Sequence, residues 1–109
     1  MKNCSENILP PAVGSKLKIS VTANLGEVHM SEVDFECVFF RNGGRSVQKI
    51  AKSEMSYVSD DEYLAIVDTD MIGSGEYFMK FTAWIPDADM DGGLRSEVVI
   101  IPTGIRVNS

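Results

Sequence analysis

Histidine is almost missing from this chain: His29 stands alone among 109 residues. A histidine-rich metal site is thereby excluded. A mixed site would have to add Cys4 and Cys37, the only two cysteines, and their spacing matches no ligand motif. Nucleophilic catalysis is thin for the same reason, because His29 falls in an expected loop and no G-x-S-x-G elbow accompanies it. Positive charge is scarce too. Ten Lys and Arg stand against sixteen Asp and Glu, a net charge of −6, and the bases are scattered. Displacing counterions from phosphates takes clustered bases, so neither nucleic acid nor an anionic membrane surface is an expected partner. No run approaches the roughly 20 apolar residues of a membrane span. The opening "MKNCSENILPPAVGSK" lacks the hydrophobic segment of a secretory signal, which leads us to expect synthesis and assembly in the cytosol. Both thiols are expected to be free, with Cys37 buried in an apolar run and Cys4 in the leader.

What is present is an ordinary globular composition, 44% hydrophobic and 24% charged, at a length that forms one domain. Sustained helical periodicity is absent, and alternation of period two takes its place. "KLKISVTA" (16–23) sends Leu17, Ile19, Val21 and Ala23 one way; "VDFECVFF" (33–40) does the same with Val33, Phe35, Cys37 and Phe39. "RNGGR" (41–45) is a hairpin signal, with a returning strand over 46–51. Further strands are expected over 62–68, 76–85 and 97–101, with the glycine-rich "TDMIGSG" as a turn and Pro102 as an interruption before a final short piece. About seven short strands between turn signals predict an all-β fold, an immunoglobulin-like antiparallel β-sandwich over 14–109 behind a flexible arm over 1–13. Phe35, Phe39, Phe81 and Ile100 are the expected core. In the arm, Pro10-Pro11 favours an extended chain without ladder donors. Ile8, Leu9, Pro10 and Pro11 are therefore the expected assembly contact, the apolar pair docking on a neighbour.

One motif invites a metal. "PDADMDGG" (86–93) spaces Asp87, Asp89 and Asp91 as the opening of a calcium loop, D-x-D-x-D-G. An EF-hand loop then needs a bidentate acid at its twelfth position, and that position is Val98; Glu97 falls one residue short. The flanks are strand formers, so the expected state is a solvated strand connection, with the three aspartates as a weak metal candidate and no cofactor. Asp60, Asp61 and Glu62 read as a solvated strand start, and Gly73-Ser74-Gly75 as a turn without the lysine or helix of a phosphate cradle. Tyr57, Tyr63, Tyr77 and Trp84 would be the platforms of a carbohydrate-binding module, the alternative function, if they formed an exposed strip. No constellation points to an enzyme.

The stretch "DDEYLAIVDTDMIGSGEYFMKFTAWIPDADMDGGLRSEVVIIPTGI" resembles virion proteins of phages and prophages of Bacteroides-type bacteria. In these an acidic "DDEY" precedes a strand ending "VDT", followed by a G-x-G turn, a strand ending "IPDAD", a G-x-R-x-E block and a last strand ending "TGI". Here that block is Gly93, Arg95 and Glu97. The layout is similar to the immunoglobulin-like N-terminal module of phage baseplate upper proteins, and the resemblance covers about 60–107. It implies a non-enzymatic structural or adaptor protein of the virion, in the tail, baseplate, fibre or capsid decoration. Its partners would be other virion proteins, in a homo-oligomer or repeated copies. The expected location is the virion, assembled in the host bacterial cytoplasm. Larger fibre proteins add domains after such a module, whereas this sequence stops at Ser109, which leads us to expect a free-standing unit or adaptor.

Overall fold

The structure is a computed structural model and describes residues 11–109. Seven strands run in the order β1 (Lys16–Thr22), β2 (Asp34–Arg41), β3 (Val47–Ala51), β4 (Ser56–Ser59), β5 (Glu62–Asp68), β6 (Gly75–Pro86) and β7 (Leu94–Val107). They form two antiparallel sheets, β1-β5-β4 and β3-β2-β6-β7. This is an immunoglobulin-like sandwich. Alternation builds it as the sequence leads one to expect. In β6, Tyr77, Met79, Phe81, Ala83 and Ile85 are all buried and the residues between them are not. They meet Phe35, Cys37 and Phe39 of β2 and, from the other sheet, Ile19, Val21, Tyr63, Ala65 and Val67. Phe35 packs edge-on against Tyr63 at 5.1 Å and tilted on Phe81 at 5.5 Å between ring centroids. Cys37 is a free, fully buried thiol, and burial pushes its pKa up to about 12; Cys4 lies outside the described residues.

Three expectations are corrected. Ile100 is not core: it is 60% exposed. It pairs with Lys80, which lies on the outward parity of β6, and "VVII" is apolar at both parities, so its pattern cannot choose a face. Pro102 does not interrupt the last strand, for β7 continues to Val107. β7 lies at the sheet edge, where proline's missing N–H costs no ladder bond on the outer side, and the register shifts beside it, between Glu76 and Phe78. The "TDMIGSG" stretch is not turn alone: Thr69–Ile72 form a one-turn helix, α1, whose first turn is capped by Asp68 accepting from the Asp70 amide.

The segment that enters β1 is tied to the end of the sandwich. Val13 donates its amide to Asn108 at 2.8 Å, and Asn108 donates back to the Pro11 carbonyl at 2.8 Å. Of the expected contact residues, only Pro11 is described, and its carbonyl is held by the end of the sandwich; Ile8, Leu9 and Pro10 lie outside the described residues. Buried Thr69 secures the same entry segment, donating its hydroxyl to the Ser15 carbonyl at 2.7 Å and accepting from the Gly14 amide at 2.9 Å. No described helix is long and apolar enough to cross a membrane.

Candidate functional site

The polar residues that chemistry would need are engaged in structural work. In the acidic loop, the Asp87 carboxylate accepts from Arg95 at 2.8 Å and from the Asp89 amide at 3.0 Å. Those two bonds hold its pKa below the ordinary carboxylate value. Arg95 also donates to Glu97 at 3.1 Å. Asp87 is thus committed to clamping the β6–β7 connection, and among the described residues no three His, Cys, Asp or Glu side chains converge as a metal site. Gly92 and Gly93, with φ of 77° and 75°, close the turn in the left-handed region that favours glycine.

His29 meets an acid but no nucleophile. Its Nδ1 lies 2.8 Å from Asp61, whose other oxygen accepts from the Met30 amide at 3.1 Å. The partnership raises the imidazole pKa and lowers that of Asp61. Ser31, the nearest hydroxyl in sequence, donates to Asp60 at 3.0 Å, and Tyr57 donates to the same oxygen at 2.8 Å. Behind them Lys52 donates to the carbonyls of Met30, Ser31 and Val33, the last at 2.6 Å, and sits over the Phe35 and Tyr63 rings at 5.5 and 5.8 Å. The network ties the segment before β2 to the turn before β5. The aromatic candidates do not form a strip: Tyr63 and Tyr77 are buried, Tyr57 is 60% exposed on the three-stranded sheet, and Trp84 is half-buried on the other sheet.

What is exposed is apolar, and it is organised. Cross-strand neighbours in an antiparallel pair point to the same face. The outward face of the four-stranded sheet can therefore be read row by row. Val47, Phe40, Phe78 and Pro102 form one row, Lys49, Val38, Lys80 and Ile100 the next, then Ala51, Glu36, Thr82 and Val98. Asp34, Trp84 and Ser96 follow, and Pro86 with Leu94 ends the series. Phe40 and Phe78 stack with centroids 5.8 Å apart. Beside Trp84 lies an open groove of about 400 Å3 bounded also by Glu32, Asp34 and Leu94. The outward face of the other sheet differs. There Lys16, Lys18, Ser20 and Thr22 of β1 stand beside Asp68 and Glu62 of β5, with Leu64 and Ile66 as its apolar members, and Lys16–Asp68 and Ser20–Glu62 are bonded at 3.1 and 2.7 Å. The first face is therefore mixed, its apolar residues interleaved with the Lys49–Glu36 ion pair at 3.3 Å and with Lys80, and the second is the more polar of the two.

Beyond the face lies an edge. Among the described residues β7 has no strand on its outer side within the sheet, and an isolated parallel bridge joins Ala12 to Asn108 just past its end. Three consecutive residues, Val98, Val99 and Ile100, are each about half exposed, at 53%, 48% and 60%. Val99, opposite Phe81, borders a cleft of about 250 Å3 between β7 and the end of β1. The sequence signal for this surface is apolar character at both parities of one strand: Val38 and Phe40 in β2, Phe78 and Trp84 in β6, and the whole of "VVII" in β7. No protein-family model matches the chain, and neither a curated protein nor a solved structure matches it.

Proposed function

We propose that this chain is a non-enzymatic structural or adaptor protein of a phage virion, acting through protein–protein contacts in a tail, baseplate, fibre or capsid decoration. The observation that carries the reading is the run Val98, Val99 and Ile100, exposed on both faces of an edge strand. A long apolar edge left bare in a soluble monomer invites uncontrolled pairing, and in an assembly it is covered. The occupied state of the titratable groups agrees, since His29, Asp61 and Asp87 all serve the fold. Ile8, Leu9, Pro10 and Pro11 are the second contact in this reading, on the sequence argument that Pro10-Pro11 favours an extended chain and Ile8 and Leu9 supply its apolar groups. Copies repeat in the particle, which assembles in the host bacterial cytoplasm.

The test is composition. Particles released by the encoding bacterium are banded on a density gradient and probed with antibody against the chain. Co-banding at a fixed ratio to the major virion protein is the expected result. A chain confined to the soluble host fraction and absent from every particle band overturns the reading.

A carbohydrate-binding module remains the second reading on one observation, the groove that sets Trp84 beside Asp34 and Glu32. Saccharides stack on such a ring and bond to such carboxylates. Loss of a glycan-array signal on Trp84→Ala would support it, and an empty array for the native chain would remove it.

A further inference from the structure

We propose that Leu9 docks in the cleft between β1 and β7 of its own chain, carried there by the segment before Pro11 running back along the free side of β7. The direction is set by the residues that follow this segment. Ala12 bridges Asn108 in parallel, with Val13 donating to the Asn108 carbonyl and Asn108 donating to the Pro11 carbonyl, both at 2.8 Å. The side is set by β6. The Glu76 carbonyl is taken by the Asn42 amide, on the β2 side of β6. Polar groups of successive strand residues alternate in direction. Gly75 therefore turns its own to Val107, and Asn108 turns its own away from β6. In a parallel pairing, the residues before Ala12 lie beside the residues before Asn108.

Pro10 and Pro11 keep that course. Each fixes φ near −65°, and a residue that precedes proline is held out of the helical region. Leu9 and Pro10 both precede one, so the chain from Pro11 back to Leu9 is biased to extended conformations. Neither proline has an N–H for a ladder, and this stretch of β7 offers no regular one. Five steps of β7, from Val107 to Pro102, face only three of β6, from Gly75 to Phe78. Measured on β6, Leu9 comes level with Tyr77, whose carbonyl accepts from the Thr103 hydroxyl at 2.8 Å. There a cleft of about 200 Å3 is bounded by Ile19, Met79, Ile101, Pro102 and Thr103. Ile19 and Met79 belong to the core, so a side chain seated there extends the core. An apolar cavity of about 150 Å3 holds a benzene-sized group, and one leucine fits the larger space. Val107 is buried, so Asn108 and its bridged neighbour Ala12 face outward. Alternation then sends Leu9 inward and leaves Ile8 outward, where the neighbour of the assembly reading would meet it. The occupant is the chain's own segment because Pro11 is already held beside β7, and a second copy would compete against an effective concentration of order millimolar. The inference concerns the free chain and does not rest on the assembly reading.

Methyl NMR of the full chain tests the contact directly. A sample labelled at leucine and methionine methyls should show a cross-peak between Leu9 and Met79, assigned by its loss in Leu9→Ala. A mixture of leucine-labelled copies with methionine-labelled copies should not show it. Leu9→Ser should lower the melting temperature by several degrees, Leu9→Met should hold it because the volume is kept, and Ile8→Ser should move it clearly less. A native chain without the cross-peak overturns the proposal. A cross-peak in the mixed sample assigns the cleft to the segment of a second copy and overturns the contact within the chain. Equal losses for Ile8→Ser and Leu9→Ser overturn the register.

Discussion

Tyr77 donates its phenolic hydroxyl to the carbonyl of Gly73, four residues earlier, at 2.6 Å. The ring is fully buried near the start of β6. This is the tyrosine corner of immunoglobulin-like sandwiches, and it locks the crossing from β5 to β6 at the end of α1. Arg41 braces the same corner, donating Nε to the Ile72 carbonyl at 3.1 Å. Gly73, with φ of 101°, could not be replaced there without strain and without crowding that guanidinium.

Removing only the hydroxyl isolates the bond. Tyr77→Phe should cost about 1 kcal/mol, because a part-buried carbonyl loses its partner while the ring still fills its place. A domain of this size should lose several degrees of melting temperature for each kcal/mol. Denaturant melts of both proteins check this, and an unchanged midpoint would show that the corner is decorative.

The His29–Asp61 pair gives a pH signature. The imidazole pKa is raised above its ordinary 6.5, first by the hydrogen bond to Asp61 and then by its charge. Its contribution is therefore full below 6.5 and fades as pH rises through the folded value. The Asp61 pKa is lowered from 3.8 by the bonds from His29 and Met30, so its contribution is full above 3.8 and fades as pH falls through the folded value. The melting-temperature difference between the native chain and His29→Gln should peak between those limits and shrink toward pH 9. The group is solvent-exposed, so the difference should also shrink in salt. A difference as large at pH 9 as at pH 6 would mean that charge is not its cause.

Cys37 offers a reporter of opening. Its thiol is buried on β2 with a pKa of about 12, so both access and thiolate are denied to a reagent at neutral pH. In a Cys4→Ser background, iodoacetamide should label Cys37 only at the rate of global unfolding. Labelling that keeps its native rate when stability is changed by denaturant would reveal a local path to the core.

Calcium should do nothing to this chain. Asp87 is already spent on Arg95 and the Asp89 amide. A real site at 100 times its dissociation constant would add about 2.7 kcal/mol. That corresponds to roughly 10 °C or more in melting temperature. A rise of that order with millimolar calcium, reversed by chelator, would show that the loop rearranges around the ion.

The sandwich was legible because its inward positions alternate without ambiguity. Ile19 and Val21, Phe35 to Phe39, and Tyr77 to Ile85 all fall where period two puts them. Legibility failed where both parities are apolar. Ile100 lay in such a run, and only the pairing with Lys80 shows its direction. The outward face is apolar at Phe40 and Phe78 too, on the parity opposite the core residues of β2 and β6. The one-turn helix Thr69–Ile72 is too short to display a period. Tyr77 was visible as an aromatic in a strand, but its role depends on Gly73 turning back beneath it, which no local pattern states.

Pro102 and Gly104 set a boundary on what the free side of β7 can template. Proline has no N–H to offer an incoming strand, and Gly104 bends the backbone at φ of 76° two residues on. A strand annealing from outside can therefore zip along 94–101 and no further. Growth by stacking strand upon strand, as in a fibril, would be limited to that short register from the outset. An edge interrupted in this way can pair locally but cannot propagate.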